Sequence, residues 1–450
     1  MILAADLGST NFKAAVFAPD GRRLGEATEP VPYEIHTNTR AELSPAAVVE
    51  AFDTVLAGAL RVAGVPAADV RRLALASQAQ TFCLCDRDGT ALGSFTGWSD
   101  QRAGDEAAEL QSVLGDCYHA ISGWPCPSSG QLAAQALWTK RHTGAARQAN
   151  FVTLPSYLAL QVGAPFVLDR NLAAMTGLYD IPGRGWWAAA LDAAGLRPEQ
   201  LGALVDTGQT VPTVNGRTRG LHCGVAPREV VLAGNDHTAA AAGCGCSPQR
   251  SILTIGTAGV FYRRPPSGEI GPFSSEGCWG PYPGGGYYEL RYVADACSAM
   301  DWADHVLFGK IDSAAFVSAA REAGTPGEVR FDPVRWGSPE AWTGQGTRGQ
   351  KALAVLEGIT SALRHLAPEK IESDAEILVM GGGSRLDFWV QMLADKFGCR
   401  LVRTRRDGLT GAAVLAGCSF GRDKDETSEF FCPAEAPNRG ETEVGRHSTP

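Results

Sequence analysis

Several features that would place the chain in a special class of protein are missing from its 450 residues. No apolar run approaches the ~20 residues that a membrane-spanning helix needs, so we do not expect a membrane protein. The chain has twelve cysteines, yet no CxxC pair and no Cys/His cluster has the spacing of a zinc site. We therefore expect buried free thiols in a reducing compartment.

Long blocks of like charge are also lacking. The formal charge of −9 is spread along the chain, which argues against a nucleic-acid-binding surface. The first residues, MILAADLGST, contain no basic stretch and carry Asp6 too early for a signal peptide. What remains is an ordinary globular composition, 44% hydrophobic and 20% charged, with length enough for two domains. We expect a cytoplasmic protein with neither nucleic-acid nor membrane partners.

Two patterns each occur twice along the chain. ILAADLGSTNFKAAVFAPDG and SILTIGTAGVFYRRP both read as a strand, a tight glycine turn and a second strand. VVLAGND and ILVMGGGS both read as a β-branched strand that runs into glycine and then into a helix. Apolar residues at helical spacing predict helices at residues 44–64 (capped by Ser44), 129–142, 349–366 and 386–398. The chain is therefore predicted to be an α/β protein with an internal duplication, divided into domains 1–243 and 244–420 and a polar tail 421–450.

The two glycine hairpins, taken singly, need be no more than tight turns. As a facing pair they suggest phosphate binding, since backbone N–H groups beside small hydroxyl side chains form anion pockets. A side chain at either leading glycine would obstruct a phosphate. The residues concerned are Gly8, Ser9 and Thr10 in the first hairpin, and Gly256 and Thr257 in the second.

A run of three glycines, Gly381, Gly382 and Gly383, precedes Ser384 and a predicted helix. It is either a flexible connection or a place where the backbone lies flat against an adenine or its ribose. Asp6 stands at the end of an apolar strand, where burying a carboxylate without a partner is costly. A hydrated Mg²⁺ ion is the natural partner when phosphates lie alongside.

Polar residues also mark the seam between a strand and an alanine-rich helix, in the stretch VVLAGNDHTAAAAGCG. Asn235 or Asp236 would serve as a helix N-cap by accepting the free N–H groups of the first turn. A chemical role for Asp236 is the alternative. These residues alone do not choose between the two.

From Ile2 to about Phe420 the motifs, in their order, resemble the FGGY family of carbohydrate kinases, within the actin/hexokinase/Hsp70-like ATPase superfamily. The resemblance implies duplicated ribonuclease H-like domains with an active-site cleft between them and ATP and Mg²⁺ as cofactors, and it leaves a homodimer open. It makes Asp236 the catalytic base, Asp6 the metal ligand, and the glycine loops with Ser384 the nucleotide site. The implied activity is phosphorylation of a sugar or polyol hydroxyl.

The sugar side of the resemblance lies in LALASQAQTFCLCDRDG and GWSDQRA. It implies that Gln78, Gln80, Trp98 and His237 contact the substrate; otherwise Trp98 is a half-buried core aromatic and His237 a solvent-facing residue. Amides in place of charged groups predict a neutral acceptor. Asp100 and Arg102 form either a surface ion pair or part of the sugar mouth. The alternatives to a kinase are a catalytically silent sugar or nucleotide sensor and a sugar-independent actin-like ATPase.

Overall fold

A computed structural model describes residues 1–143, 149–214, 218–266, 270–271, 273–372, 374–420 and 429–434. In chain order the strands are β1 (Ile2–Leu7), β2 (Asn11–Phe17), β3 (Arg23–Pro30), β4 (Tyr33–His36), β5 (Ala41–Leu43), β6 (Arg72–Ser77), β7 (Phe82–Cys85), β8 (Phe95–Thr96), β9 (Asn150–Thr153), β10 (Val167–Asp169), β11 (Tyr179–Asp180), β12 (Gly185–Trp186), β13 (Ala203–Val205), β14 (Thr210–Pro212), β15 (Glu229–Asn235), β16 (Arg250–Ile255), β17 (Gly259–Arg263), β18 (Cys278–Pro281), β19 (Tyr287–Val293), β20 (Arg330–Phe331), β21 (Trp342–Thr343), β22 (Glu376–Met380), β23 (Arg400–Arg403) and β24 (Phe430–Phe431).

The α-helices are α1 (Pro45–Ala63), α2 (Gly104–Leu114), α3 (Tyr118–Ser122), α4 (Leu132–His142), α5 (Leu154–Gln161), α6 (Arg170–Ala174), α7 (Ala188–Ala194), α8 (Asp236–Gly243), α9 (Cys297–Phe308), α10 (Ser313–Ala323), α11 (Arg348–Leu366), α12 (Asp387–Phe397) and α13 (Gly408–Leu415). The four helices predicted from apolar spacing correspond to α1, α4, α11 and α12. Ser44 stands at the N-cap of α1, but its side chain makes no capping hydrogen bond. Pro45 begins this helix instead, with a preset φ and no N–H to satisfy.

Two compact units divide the chain. Over their described residues, the first comprises Met1–Cys244, Ser267–Tyr288 and Arg406–Arg422, and the second comprises Gly245–Pro266, Glu289–Arg405 and Asp423–Pro450. Both units are discontinuous, and α13 belongs to the first because it packs closely against α8. The division into continuous domains 1–243 and 244–420 stays a prediction.

The main sheet of the first unit has the strand order β14-β15-β6-β1-β2-β3. The strands β1, β2 and β3 form antiparallel hairpins, whereas β6 is parallel to β1 and β15 is parallel to β6. Alternate residues of β1 bury opposite faces, because successive side chains of a strand point to opposite sides. Leu3, Ala5 and Leu7 pack in a core with α1, while Ile2 and Ala4 pack with residues of α8 and α13.

The main sheet of the second unit repeats this arrangement. Its strands follow the order β19-β17-β16-β22-β23-β24, with β16, β17 and β19 antiparallel and with β22 and β23 parallel to β16. Numbered within each unit, the strands β3-β2-β1-β6-β15 and β19-β17-β16-β22-β23 have the same order, 3-2-1-4-5. The predicted α/β fold with an internal duplication is confirmed.

Part of the predicted polar tail belongs to the second sheet. The strand β24 pairs antiparallel with β23, and the guanidinium of Arg400 lies 4.6 Å from the ring centroid of Phe430. Two aromatic residues in an otherwise polar segment supply the apolar surface that this edge strand needs. The rest of the predicted tail, residues 421–428 and 435–450, lies outside the described residues.

All twelve cysteines are free thiols, as expected. Cys117, Cys126 and Cys432 are exposed, so the expectation of burial is wrong for these three, which lie outside the sheets and the α-helices. In the part of the chain that the structure describes, no helix has the length and apolar character required to cross a membrane.

Small residues allow α8 and α13 to pack at unusually short range. A Cβ atom added to Gly411 of α13 would lie 1.6 Å from the carbonyl oxygen of Ala239 in α8. One added to Gly243 would lie 2.7 Å from the backbone nitrogen of Gly411. The alanines of α8 are therefore explained by backbone-to-backbone contact with a second helix.

We expect Gly411→Ala to lower the free energy of unfolding by about 3 kcal/mol or more, since one methyl group forces the two helices apart. Urea unfolding of the purified variant measures this. The matched control is Gly104→Ala at the start of α2, where an added Cβ meets nothing within 4 Å and alanine is the better helix former. Equal stability of the two variants would contradict the proposed close contact.

Candidate active site

The candidate site of the first unit lies where three parallel strands end. In the sheet, Leu7 of β1 and Asn235 of β15 are both register partners of Ser77 in β6. The carboxyl ends of neighbouring parallel strands are where α/β proteins bind ligands. This register places Asp6, Gln78 and Asp236 at a common edge of the sheet.

Asp6 is held in an environment that does not favour its charge. Its Oδ1 atom is buried and has no hydrogen-bond partner among the described residues. Burial, followed by the negative charge of Asp236, raises the pKa of Asp6 to about 7, although Lys13 acts in the opposite direction. A Cβ on Gly408 would lie 2.6 Å from Oδ2 of Asp6, so glycine is needed there for the carboxylate to fit. An acceptor oxygen left without a donor in this way matches a cation site.

The described residues contain no group of three or more His, Cys, Asp or Glu side chains arranged to hold a metal ion on their own. A magnesium ion in a kinase site is typically held by one or two carboxylates, several waters and the phosphates of the substrate. The orphaned oxygen of Asp6 fits such an ion.

Asn235, rather than Asp236, caps helix α8. The Asn235 side chain accepts a hydrogen bond of 2.8 Å from the backbone N–H of Thr238. Asp236 is the first helical residue, is half-buried, and its Oδ1 accepts from the backbone N–H of His237 at 2.9 Å. The N-cap of this helix is therefore Asn235, and Asp236 is not needed as a cap. His237 is half-buried as well, so it does not simply face solvent.

Two glutamine side chains follow β6. Gln78 is 5% exposed, and neither its amide oxygen nor its amide nitrogen has a partner among the described residues. Gln80 has φ of 59°, in the left-handed region that few non-glycine residues adopt, and its Nε2 donates to the carbonyl of Met175 at 3.3 Å. A buried amide with both groups unused, next to a strained residue, is typical of a ligand site.

Trp98 is 46% exposed, so about half of its surface is buried. Its carbonyl would lie 2.2 Å from a Cβ on Gly130, and the Oε1 atom of Gln80 would lie 3.6 Å from the same Cβ. The structure therefore brings Trp98 and Gln80 together around Gly130.

Asp100 is fully buried and accepts from Arg102 Nε at 2.9 Å, so this pair is not a surface ion pair.

The two phosphate-loop candidates are matching three-residue hairpins. Gly8 and Gly256 both have negative or extended φ, and a Cβ on Gly256 would meet its nearest neighbour, the carbonyl of Ala258, at 3.6 Å. The protein itself thus has room for a side chain at Gly256, which is consistent with a space kept for a ligand. Ser9 is half-buried and Thr10 is exposed. In the second unit, α9 braces its hairpin, since the N–H of Ala296 donates to the carbonyl of Thr257 at 2.8 Å.

The three glycines after β22 have different roles. Gly381 has φ of 89° and a Cβ there would lie 2.5 Å from the carbonyl oxygen of Ile255, while one on Gly383 would lie 2.4 Å from the Ile255 side chain. These two glycines are required by packing within the protein. A Cβ added to Gly382 would meet nothing within 4 Å and the residue is exposed, so its backbone is open to a ligand. Ser384 is buried and donates to the carbonyl of Gly381 at 2.7 Å, which fixes the turn.

Asp407 was not predicted from the sequence, where it stands beside Arg405 and Arg406. It caps α13 by accepting from the N–H of Thr410 at 3.0 Å, and it pairs with Arg23 of β3 at 2.6 Å. Its position fixes the helix start, and with it Gly408, against Asp6. An acidic residue directly before a glycine-rich helix was the available signal.

Residues 1–243 match the N-terminal domain of the FGGY family of carbohydrate kinases, and residues 272–420 match its C-terminal domain. The chain belongs to this family. It is therefore a sugar kinase, a phosphotransferase of a family that uses ATP.

Similar proteins agree with this membership. The kinase is 28% identical to xylulose kinase of Escherichia coli strain K12, in an alignment that covers 94% of this chain and 91% of that protein. It is 23% identical to gluconokinase of Bacillus subtilis strain 168, with 94% and 88% coverage. Its fold is similar to that of ligand-bound xylulose kinase from Lactobacillus acidophilus, with a TM-score of 0.83 at 20% identity and coverage of 96% and 93%.

We expect Asp6→Asn to be more stable than the wild type above pH 7 in metal-free buffer. The raised pKa means that the folded protein holds a proton that the unfolded chain has released, so this group's contribution is present below about pH 4 and lost as the pH rises through about 7. Each tenfold change in proton affinity is worth about 1.4 kcal/mol. Urea midpoints should therefore show a gap between the two proteins that widens from pH 5 to pH 8.

The control for this experiment is Asp20→Asn, at an exposed carboxyl whose pKa is lowered by hydrogen bonds from Arg22. This variant should show no such widening. Parallel pH profiles for the wild type and Asp6→Asn would refute the burial of an uncompensated carboxylate at Asp6.

Proposed function

We propose that this kinase transfers the γ-phosphoryl group of ATP to a hydroxyl of a small neutral sugar or polyol, with Asp236 as the general base. The observation that carries the proposal is that Asp236 is relieved of capping by Asn235 and stands at the same sheet edge as the unpartnered carboxylate of Asp6. Two acidic groups with distinct environments at one edge suit a base and a metal ligand.

Each group then has a defined task. The sugar hydroxyl gives its proton to Asp236 as its oxygen attacks the γ-phosphorus, and the bond from that phosphorus to the leaving ADP oxygen breaks. Asp6 would hold Mg²⁺, which neutralises phosphate charge when bound. Gly8, Ser9 and Thr10 would position phosphate in the first unit. In the second unit, Gly256 and Thr257 would bind phosphate, and the open backbone at Gly382 would bind adenosine.

The unused amide of Gln78 supports a neutral acceptor. An amide offers one acceptor and two donors, which suits hydroxyl groups, but it provides no positive charge for a carboxylate. Trp98 exposes nearly half of its surface, and an aromatic face suits the apolar side of a carbon chain. We therefore favour a ketose, polyol or deoxysugar over a sugar acid such as gluconate.

A panel of neutral ketoses, polyols and deoxysugars, set against aldonic acids, tests the acceptor class by ADP release. We expect turnover with at least one neutral compound at a kcat/KM at least tenfold above that for any aldonic acid. Turnover with an aldonic acid alone would overturn the neutral class. ADP release without any sugar would favour an ATPase, and binding without turnover would favour a sensor.

We expect Asp236→Asn to lower kcat by ~10²–10⁴-fold, because asparagine cannot take the hydroxyl proton. Nucleotide affinity and melting temperature should stay near the wild-type values, since the change is almost isosteric and the cap is Asn235. Steady-state kinetics and nucleotide titration on the same sample measure both quantities.

Asp312→Asn is the matched control, because Asp312 is a true N-cap that accepts from the N–H of Ala315 at 3.1 Å. Asparagine caps about as well as aspartate, so this variant should keep wild-type kcat. A loss of less than about tenfold in Asp236→Asn would remove the base assignment.

A further inference from the structure

We infer that Asn171, at the start of α6, is a positioning residue that sets the direction of Asp236. The inference rests on the proposed function, because it matters to catalysis only if Asp236 is the base. Asn171 is completely buried, and its side chain binds the chain on both sides of Asp236. Among the described residues, its hydrogen bonds reach the neighbours of Asp236 but not Asp236 itself.

The first contact compensates for a break in the sheet. β15 pairs in regular register with β6 from Glu229 to Leu232, and the register shifts before Asn235. Gly234 lies within this irregular stretch with φ of 76°. Irregularities of this kind re-aim the residues that follow them. The backbone N–H of Asn235 donates to Oδ1 of Asn171 at 2.9 Å, so the side chain takes the place of a strand partner.

The second contact fixes the helix side of the turn. Nδ2 of Asn171 donates to the hydroxyl of Thr238 at 3.1 Å and to the carbonyl of Pro281 at 3.2 Å. Thr238 stands two residues after Asp236, and Asn235 stands one residue before it. The Asn171 amide therefore bridges the last residue of β15 and the first turn of α8, with Asp236 between the two points.

This bridge depends on an amide of this length. The acceptor oxygen and both N–H donors of the Asn171 amide are in use. A carboxylate at this position would have no donor for the carbonyl of Pro281, and alanine would have neither a donor nor an acceptor. The close approach also explains Gly234, where a Cβ would lie 2.8 Å from Oδ1 of Asn171. The cost of the arrangement is that two positions are tied to particular residues.

Asn171 is itself held from the far side. Its backbone N–H donates to Oδ1 of Asp169 at 3.1 Å and to the hydroxyl of Thr207 at 3.2 Å. Asp169 caps α6 and is fully buried. The Asn171 side chain thus extends from a fixed anchor, as a residue that orients another must.

The decisive experiment is a double-mutant cycle of Asn171→Ala with Asp236→Asn. A misplacement of about 1 Å can cost ~10²-fold in rate, so we expect Asn171→Ala to lower kcat by about 10–100-fold in the otherwise wild-type enzyme. In the Asp236→Asn background the same change should lower kcat less than threefold, since the oriented group is gone. Sugar KM and nucleotide affinity should change less than threefold in both backgrounds.

The control variant is Gln200→Ala, which also removes a buried amide that accepts a backbone N–H, from Arg197, and donates to a carbonyl, that of Ala149. We expect its melting temperature to fall about as far as that of Asn171→Ala, with kcat unchanged. If Asn171→Ala folds poorly, Thr238→Val removes the hydroxyl that accepts the hydrogen bond from Nδ2 of Asn171, and kcat should then fall about threefold to tenfold.

Equal kcat losses for Asn171→Ala in both backgrounds, or a matching loss in Gln200→Ala, would overturn the positioning role. Wild-type kcat in Thr238→Val would do the same where Asn171→Ala is unfolded. Failure of the proposed function gives a different result, since Asp236→Asn alone would then retain near wild-type kcat.

Discussion

The burial of Asp6 without a hydrogen-bond partner is the constraint on which much of the first unit depends. Burial, followed by the charge of Asp236, raises the pKa of Asp6 to about 7, so ionising this carboxyl at neutral pH lowers the stability of the apoprotein. The neighbouring residues do not compensate this carboxylate: Gly408 has no side chain to place there, and Asp407 pairs with Arg23 and caps its own helix. Strain retained at one point and offset elsewhere is the usual physical mark of a functional site.

The small residues between the sheet and helices α8 and α13 follow from the same constraint on Asp6. Helices α8 and α13 must begin near the ends of β15 and β1, so both have to lie close to the sheet and to each other. The face of the sheet toward them is lined by Ala4, Ala15, Ala74 and Ala76, and the helices meet at Gly411. Larger residues would bury more apolar area but would move the helix starts away from Asp6 and Asp236.

How far the sequence could predict this site depends on how local each interaction is. The hairpins at Gly8 and Gly256 were predictable because a turn is encoded by neighbouring residues. The choice between Asn235 and Asp236 as the cap was not, since both residue types cap equally well. The packing of Gly381 and Gly383 on Ile255, and the bond from Asn235 to Asn171, join residues 64 or more positions apart, which no local pattern reveals.

The two sheets have the same topology but carry different residues at corresponding strand ends. The position before the last residue is Asp6 in β1 and Thr254 in β16, and the residue following the strand is Gln78 after β6 but Gly381 after β22. Likewise Asp236 follows β15, whereas Thr404 follows β23. The first unit therefore presents carboxylates and an amide, while the second presents hydroxyls and glycine. In the proposed function, carboxylates suit a proton and a metal ion and uncharged backbone suits an anionic nucleotide, so the two units would differ in function at three strand ends rather than in fold.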